Sequence, residues 1–342
     1  MTKSTILQLL PLGPPPWPTL NPFLFAVHHL DFYPKGNKNM GPDASLRGRR
    51  PGQDFEGVDG WRMYHGTSVP GFPKHPHRGF ETITLARQGF IDHSDSMGAT
   101  ARFGEGDCQW MTAGKGVVHS EMFPLLHEDK PNTGELFQLW LNLPRKNKMV
   151  DPHFTMFWSH QIPKVTMEDE KGHKTTIAVV AGAFGEHTPP SPPPDSWASE
   201  PESAVAVWSI VMDPGATCLL PAAIEGLNRS LYVFAGQGIE LDGTAIPLSN
   251  RVDVRSDMSL SLVNGPEKTE ILLLQGRPIE EPVVSYGPFV MNSQEDIHQT
   301  ILDYQRTQFG GWPFDSDAPV HPREQGRFAR HADGRLETPP TE

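Results

Sequence analysis

Prolines and glycines interrupt this chain so often that long regular elements have little room. The 342 residues include 35 prolines and 32 glycines, spread along the whole length. Between them lie short runs in which β-branched and alternating apolar residues predominate, such as 82–85, 136–143, 204–212 and 271–274. A period of two is typical of half-buried strands, and short strands bounded by turns predict an all-β sandwich or barrel.

One segment near the C-terminus has helical periodicity instead. Ser293 is a suitable N-cap, and Ile297, Ile301 and Tyr304 then recur on one face before two glycines follow as a stop. This pattern predicts a helix over about 294–309 that packs on a sheet.

Length and internal similarity predict two domains. The chain is long for a single core, and a strand followed by a glycine-bearing turn occurs in both halves, at 85–89 and at 232–236. A duplicated β-barrel explains this similarity. We expect an N-terminal segment (1–60) that belongs in part to the first barrel, the first barrel itself (61–175), a second barrel that includes the helix (176–312) and a flexible tail (313–342).

Charge and cysteine content narrow the classes of function. A formal net charge of −12 argues against direct nucleic-acid binding, and the basic segment Arg47–Arg50 reads as a solvated loop, with a nuclear-import or anion patch as the alternative. Only two cysteines, Cys108 and Cys218, favour a reducing compartment, where both would be buried small hydrophobes. No apolar run is long enough to span a membrane, and no signal peptide is recognisable. We therefore expect a cytoplasmic or nuclear protein that is not secreted.

Four potential metal ligands stand in two short pairs. His75 and His77 form the first pair, and His119 and Glu121 form the second. Residues i and i+2 of a strand face the same side, so two facing strands would aim three imidazoles and one carboxylate at a single point. Such a set suits a divalent transition metal and leaves coordination positions open, as in a reactive site.

Three further residues are candidates for the same site. Glu81 has the same parity as His75 and His77, so it is either a rival fourth ligand or a hydrogen-bonding partner of a ligand. Gln138 and Trp140 share the mixed face of a predicted strand and could line a substrate pocket, although barrel filling explains them nearly as well. Several other histidines are expected at the surface or as hydrogen-bonded core residues: His28, His29, His65, His93, His153, His160 and His187.

The motifs around these residues closely resemble the pirin family. They are His75-Pro76-His77-Arg78-Gly79-Phe80-Glu81-Thr82, the segments 109–116, 119–122 and 138–143, and Gly287-Pro288-Phe289-Val290-Met291-Asn292. The similarity covers roughly residues 22–312. The chain departs from the family at 35–59, which is longer and more polar than usual, at the proline-rich stretch 188–199, and in its tail.

The resemblance implies a particular fold and ligand set. The fold would be an all-β bicupin, with two face-to-face antiparallel β-barrels of jelly-roll type and a C-terminal helix that crosses back to the first barrel. The first barrel would hold a metal through the residues that match the family's ligands, His75, His77, His119 and Glu121, which favours Glu121 over Glu81. The second barrel would be metal-free. Fe(II) is the expected ion, and Mn, Ni, Cu or Zn would accept the same ligands.

The resemblance also implies two classes of function. The first is a quercetin 2,3-dioxygenase-like oxidoreductase that acts on a flavonol or a related enolisable aromatic with O2, with Glu121 as a catalytic base as well as a ligand. The second is a non-enzymatic, redox-sensitive and iron-dependent nuclear cofactor that acts through a transcription-factor partner. A monomer is expected in either case.

Overall fold

The computed structural model describes residues 4–340, which form short strands, single 3₁₀ turns and one α-helix. The strands are β1 (Ile6–Pro11), β2 (Phe23–Tyr33), β3 (Gly71–His77), β4 (Phe80–Gln88), β5 (Phe90–Asp95), β6 (Thr100–Gly104), β7 (Asp107–Thr112), β8 (Val117–Met122), β9 (Asn132–Asn142), β10 (His153–Phe157), β11 (Lys164–Glu168), β12 (Lys174–Ala181), β13 (Ala206–Met212), β14 (Thr217–Leu220), β15 (Asn228–Ala235), β16 (Gly238–Leu241), β17 (Thr244–Pro247), β18 (Asn250–Val254), β19 (Leu260–Asn264), β20 (Thr269–Gly276), β21 (Val284–Tyr286), β22 (Phe289–Met291), β23 (Phe328–Arg330) and β24 (Leu336–Glu337). The helix is α1 (Gln294–Thr307), and the 3₁₀ turns are Val58–Gly60, Arg145–Asn147, Trp197–Ser199, Pro201–Ser203 and Gln308–Gly310.

The described chain divides into two compact units, as the duplicated pattern predicts. One unit, which we call the first barrel, joins Val27–Ser159 to the chain from Glu281 onward. The other, which we call the second barrel, joins the chain up to Ala26 to His160–Glu280. No helix in residues 4–340 has the length and apolarity that a membrane span requires.

The first barrel is built from two larger antiparallel sheets. One has the strand order β10-β7-β4-β9-β2, and the other has the order β24-β23-β6-β5-β8-β3. Apolar side chains of both sheets meet in one core, for example Met111 and Phe154 from the first sheet with Ala101 and Phe103 from the second. The polar side chains of β3 and β8 do not fit this apolar core and need a separate explanation.

The second barrel repeats this construction with its own core. Its sheets have the orders β1-β18-β15-β20-β13-β12-β11 and β14-β19-β16-β17. Alternate residues of β13, namely Ala206, Trp208, Ile210 and Met212, all lie in the core. The period-two pattern read from the sequence therefore corresponds to a real inward face.

The boundaries of the two units differ from the expected ones. The expected segment 1–60 is divided between the units: β1 pairs with β18 and residues 4–26 complete the second barrel, whereas residues 27–60 belong to the first. Strands β11 and β12 extend the same sheet, so the second barrel begins near residue 160 and not at 176. The proline-rich stretch 188–199 lies between β12 and β13 and ends in a 3₁₀ turn. These limits depend on which strands pair with each other, and a local sequence pattern does not show that.

The tail is a second departure, because the flexible segment expected at 313–342 carries strands β23 and β24. β23 pairs with β6, and Ala329 is fully buried. Arg102, itself buried, forms a two-point ion pair with Asp92 and donates to the carbonyl oxygens of Pro322 and Gln325 at 2.8 Å each. A buried guanidinium needs acceptors for its five N–H groups, and the carbonyl oxygens of the tail supply acceptors in addition to Asp92.

The predicted helix is confirmed, with nearly the expected bounds. The Ser293 hydroxyl accepts a hydrogen bond from the Asp296 amide at 3.1 Å, and the chain turns left-handed at Gln308. Ile297 is buried against β22. The helix belongs to the first barrel, as the resemblance implies, and not to the second barrel (176–312) in which the expected domain limits placed it. Arg78, the residue after His77, reaches the helix and pairs with Asp303 at 2.9 Å.

Candidate metal centre

Neighbouring strands β3 and β8 bring the two predicted ligand pairs together. In this antiparallel pair His75 lies opposite His119, and the register shifts between Phe72 and His75. One candidate ligand atom from each of His75, His77 and His119 can be chosen so that the atoms lie within 4.8 Å of one another. The i, i+2 spacing in these two neighbouring strands therefore brings the three imidazoles together, whereas the carboxylate of Glu121, also expected at this point, is not part of the group.

The three imidazoles have the chemistry of metal ligands. His119 is fully buried and neither of its ring nitrogens has a hydrogen-bond partner, and Nδ1 of His77 also has none. Nδ1 of His75 lies 2.8 Å from the carbonyl oxygen of Pro73, which leaves Nε2 for a ligand. Buried polar atoms without partners are rare in proteins, and a bound cation would satisfy one nitrogen of each ring.

Burial also fixes the protonation state of the cluster. It lowers the pKa of His75 to about 4, with a neighbouring carbonyl acting against it. It lowers the pKa of His77 and of His119 well below the usual 6.5, and for His119 the positive charges that His75 and His77 would carry add to the effect. All three rings are therefore neutral near pH 7, which is the form that binds a metal ion.

Glu121 lies at the edge of this cluster. Its Oε2 is 3.9 Å from Nε2 of His119 and accepts a hydrogen bond from the Gln138 amide at 2.7 Å, while its Oε1 accepts one from the Thr84 hydroxyl at 3.1 Å. Burial raises the pKa of Glu121, and these contacts lower it only in part. The carboxylate is held in position to act as a fourth ligand or to accept a proton.

Glu81 faces away from this point. It lies on β4 three residues before Thr84, so the two side chains project from opposite faces of the sheet. The Glu81 carboxylate accepts a hydrogen bond from Thr112 at 2.7 Å, its direct neighbour on β7. The parity argument was wrong here because Gly79, with φ 86°, turns the chain between β3 and β4 and ends the alternation that began at His75.

Gln138 and Trp140 lie on the face predicted for them. They stand opposite Thr84 and Thr82 in the β4–β9 pair, and Gln138 contacts Glu121 directly. The Trp140 ring lies 5.3 Å from that of His77, between ring centroids. These two residues thus border the three imidazoles, and their contact with a substrate stays a prediction.

Two histidines that sequence reasoning passed over also border the site. His93 lies opposite Glu121 on β5, and its ring is 5.5 Å from that of His119 while its Nε2 is 3.2 Å from Asp95. The spacing of His93 and Asp95 repeats the i, i+2 pattern of the ligand pairs, and that was the available signal. His29 of β2 comes from the opposite sheet and has no such signal.

A narrow crevice lies beside Glu121. Its lining residues are His29, Phe72, Thr84, Glu121, Phe123, Leu136 and Gln138. The gaps between these side chains leave no room for a water molecule. In this conformation, therefore, aromatic and polar side chains close the site on this side.

Comparison with known proteins identifies the family. The pirin family model matches residues 46–141, and the model of the pirin C-terminal cupin domain matches residues 207–310. Human pirin is 34% identical over 260 residues, which are 72% of this chain and 80% of human pirin. The chain belongs to the pirin family.

Other members and a crystal structure extend this result. A Pseudomonas aeruginosa protein named "putative quercetin 2,3-dioxygenase" is 35% identical over 243 residues, 70% of this chain and 79% of its own. The crystal structure of quercetin 2,3-dioxygenase from Acinetobacter baumannii is 26% identical, covers 90% of this chain and 98% of its own, and gives a TM-score of 0.70. The expected all-β bicupin fold is thereby confirmed for this pirin-family chain, and its three-histidine cluster lies within the segment that the pirin model matches.

Proposed function

We propose that this pirin-family protein is an iron-dependent dioxygenase that opens a flavonol or a related enolisable aromatic with O2. The observation that carries the proposal is the convergence of three neutral imidazoles with the buried carboxylate of Glu121. The rings of His77 and His119 are buried and that of His75 is half-buried. The names of the Pseudomonas and Acinetobacter proteins support the reaction class. The nuclear cofactor role has no comparable structural observation in its favour.

In this proposal His75, His77, His119 and Glu121 hold the metal. Fe(II) is the expected ion, and Mn, Ni, Cu or Zn fit the same nitrogen and oxygen donors. The bound ion would lower the pKa of a coordinated enol and provide open positions for substrate and O2. The assignment of Glu121 rests on its proximity to His119, because Glu81 faces the other side of its sheet.

Glu121 has a second role, as the base that takes the enol proton of the substrate. Burial raises its pKa in the metal-free protein, and a bound cation would act against this shift. Thr84 and Gln138 each donate to one of its oxygens and so fix the direction of the carboxylate. Phe72 and Phe123 lie beside Glu121 and close this side of the site to water.

The test is oxygen uptake by protein loaded with Fe(II) under anaerobic conditions and then given a panel of flavonols. We expect turnover by the wild type and by Glu81→Gln, which alters a carboxylate on the far face of its sheet. We expect none from His119→Ala with Glu121→Ala. Turnover that survives the double substitution would disprove the metal mechanism.

The same material separates the two classes of function. If no flavonol is turned over while binding to a protein partner depends on Fe(II) versus Fe(III), the enzyme proposal fails and the cofactor role is favoured. Metal analysis of protein purified without added metal identifies the resident ion.

A further inference from the structure

The backbone that follows the candidate ligand His77 is supported by the C-terminal part of the first barrel. Arg78 forms a parallel bridge with β22, in which the Arg78 amide donates to the carbonyl oxygen of Pro288 at 3.3 Å and the Val290 amide donates to that of Arg78 at 3.0 Å. A side chain at Gly79 would lie 2.0 Å from the carbonyl oxygen of Val290, so the two backbones are in direct contact. The end of β3 therefore rests on β22.

The Arg78 side chain connects this segment to helix α1 and to the other ligand strand. Arg78 is buried, and its Nη1 donates to the Asp303 carboxylate at 2.9 Å and to the Thr300 hydroxyl at 3.3 Å, both on α1. Its Nε donates to the carbonyl oxygen of Lys115, two residues before β8, at 2.6 Å. The planar guanidinium has donors on several edges, so one side chain links β3, β8 and α1.

The aromatic residue after α1 packs against the start of β8. The Phe309 ring faces the Arg78 guanidinium, with its centroid 4.5 Å from Cζ. A side chain at Gly116 would lie 2.6 Å from a carbon of this ring, so Phe309 fills the space beside the strand that carries His119. Phe309 has a φ of 47°, which is uncommon for a bulky residue, and backbone outliers of this kind persist only where the surrounding structure holds them.

A buried lysine adds a second link at the turn between β3 and β4. Lys148 is buried, and its Nζ donates to the carbonyl oxygens of Gly79 at 2.7 Å and of Val290 at 3.1 Å. The third hydrogen bond of this amine goes to Oδ1 of Asn142 at 2.7 Å. An ammonium group has three donors, and here each has an acceptor, so the turn is tied to β22 from a second side.

Two of the three imidazoles need such support from the backbone. Histidines that bind metals usually have an outer partner on the second ring nitrogen, which fixes the ring. His75 has one in the carbonyl oxygen of Pro73, whereas Nδ1 of His77 and both nitrogens of His119 have no hydrogen-bond partner. The positions of these two rings therefore depend on the backbones of β3 and β8.

We propose that Arg78 is a positioning residue through which the docked helix α1 holds His77 and His119 at the separation that a metal ion requires. This inference rests on the metal centre of the proposed function and on none of its oxygen chemistry. Because coupling between two sites is reciprocal, metal binding stabilises the docking of α1 by the same factor by which docking raises the metal affinity.

Metal affinity gives the first test. Zn(II) is titrated into metal-free protein at pH 7.5 in competition with a chromophoric chelator. We expect folded Arg78→Met to bind Zn(II) about 10- to 100-fold more weakly than the wild type, the range that follows loss of groups that orient metal ligands. Asp303→Asn, at a more accessible position, should weaken binding in the same direction. The double variant should lose little more than Arg78→Met alone, because both changes break one link.

A matched control comes from the other arginine that pairs with Asp303. Arg306 lies 3.4 Å from this carboxylate, but its side chain is exposed and both residues belong to α1. Arg306→Met should leave the Zn(II) affinity nearly unchanged, because an exposed pair within one helix contributes little. Circular dichroism of each variant reports on folding.

Amide hydrogen exchange measures the reverse direction of the coupling. In the wild type, saturation with Zn(II) should slow the exchange of the α1 amides, and Arg78→Met should remove this response to metal. A residue that only stabilises the fold would instead change exchange equally with and without metal.

Unchanged Zn(II) affinity in folded Arg78→Met and Asp303→Asn, or α1 exchange that is insensitive to Zn(II) in the wild type, would overturn the inference. Wild-type protein that binds no metal would defeat both this inference and the proposed function. Coupled loss of affinity without oxygen uptake by the wild type would defeat the proposed function alone. Oxygen uptake by Arg78→Met at the wild-type metal affinity would defeat this inference alone.

Discussion

The substitution His119→Leu tests whether His119 is a metal ligand or an ordinary core histidine. In protein stripped of metal we expect His119→Leu to be more stable than the wild type. His119 is fully buried and both of its ring nitrogens lack a partner, so the wild type bears a desolvation cost that an apolar side chain of similar size would not. A core histidine with satisfied hydrogen bonds would give the opposite result.

The size of the effect follows from the same two atoms. An unsatisfied buried polar group costs about 1–3 kcal/mol, so removal of the imidazole should raise the free energy of unfolding by about 2 kcal/mol, less any packing loss. A metal at a hundred times its dissociation constant stabilises the wild type by about 2.7 kcal/mol and the variant by much less. The order of stability should therefore reverse when metal is added.

The assay is urea unfolding at pH 7.5, first with a chelator and then with Zn(II). His93→Leu is the comparison variant. His93 is equally buried and its Nδ1 also lacks a partner, but its Nε2 lies 3.2 Å from the buried carboxylate of Asp95. Loss of this contact should destabilise the variant by about 1–3 kcal/mol with or without metal. If His119→Leu loses stability in the chelator as His93→Leu does, then His119 is a structural residue and the argument from unpaired nitrogens is refuted.

Three further predictions concern Glu121, His75 and Arg102. Glu121→Gln should weaken metal affinity about tenfold or more while Glu81→Gln leaves it unchanged, and equal effects in competitive titrations would contradict the assignment. Burial lowers the pKa of His75 from 6.5 to about 4, so the unfolded chain binds more protons in this interval. Metal-free protein should therefore be fully stable above pH 6.5 and lose about 3 kcal/mol through this residue as the pH falls to 4; flat urea midpoints across that interval would argue against a neutral ring. Arg102→Met should cost about 3–5 kcal/mol because it leaves the Asp92 charge buried and unpaired, and it should expose the tail to proteases; an intact tail in limited proteolysis would contradict this.

The features that were predicted correctly from the sequence are those that depend on local spacing. Alternation identified the inward face of β13, and the N-cap at Ser293 identified the start of α1. The pairing of His75 with His119 joined two local patterns in one sheet. Each depends on a period of two or 3.6 residues, which is a property of the chain itself.

The features that failed depend on where distant segments meet. The parity of Glu81 was counted across Gly79, where the backbone leaves the strand with a positive φ. Only glycine fits at this turn, since a side chain there would meet the carbonyl oxygen of Val290. Strand β1 joins a sheet partner, β18, from far along the chain, and β23 does the same with β6. No local pattern contains such pairings, so the domain limits and the ordered tail could not be read in advance.

The same distinction explains the layout of the site. The imidazoles project from β3 and β8, whose mutual hydrogen bonds fix their positions, whereas His29, which borders Glu121, contacts Tyr64, five residues after the longer polar segment (35–59). That segment is itself anchored, because Oδ2 of Asp54 accepts from Arg49 at 2.8 Å and from the amide that precedes Tyr64 at 3.1 Å. Changes in this segment would therefore reach His29 through Tyr64, and they would leave the three nitrogen donors in place.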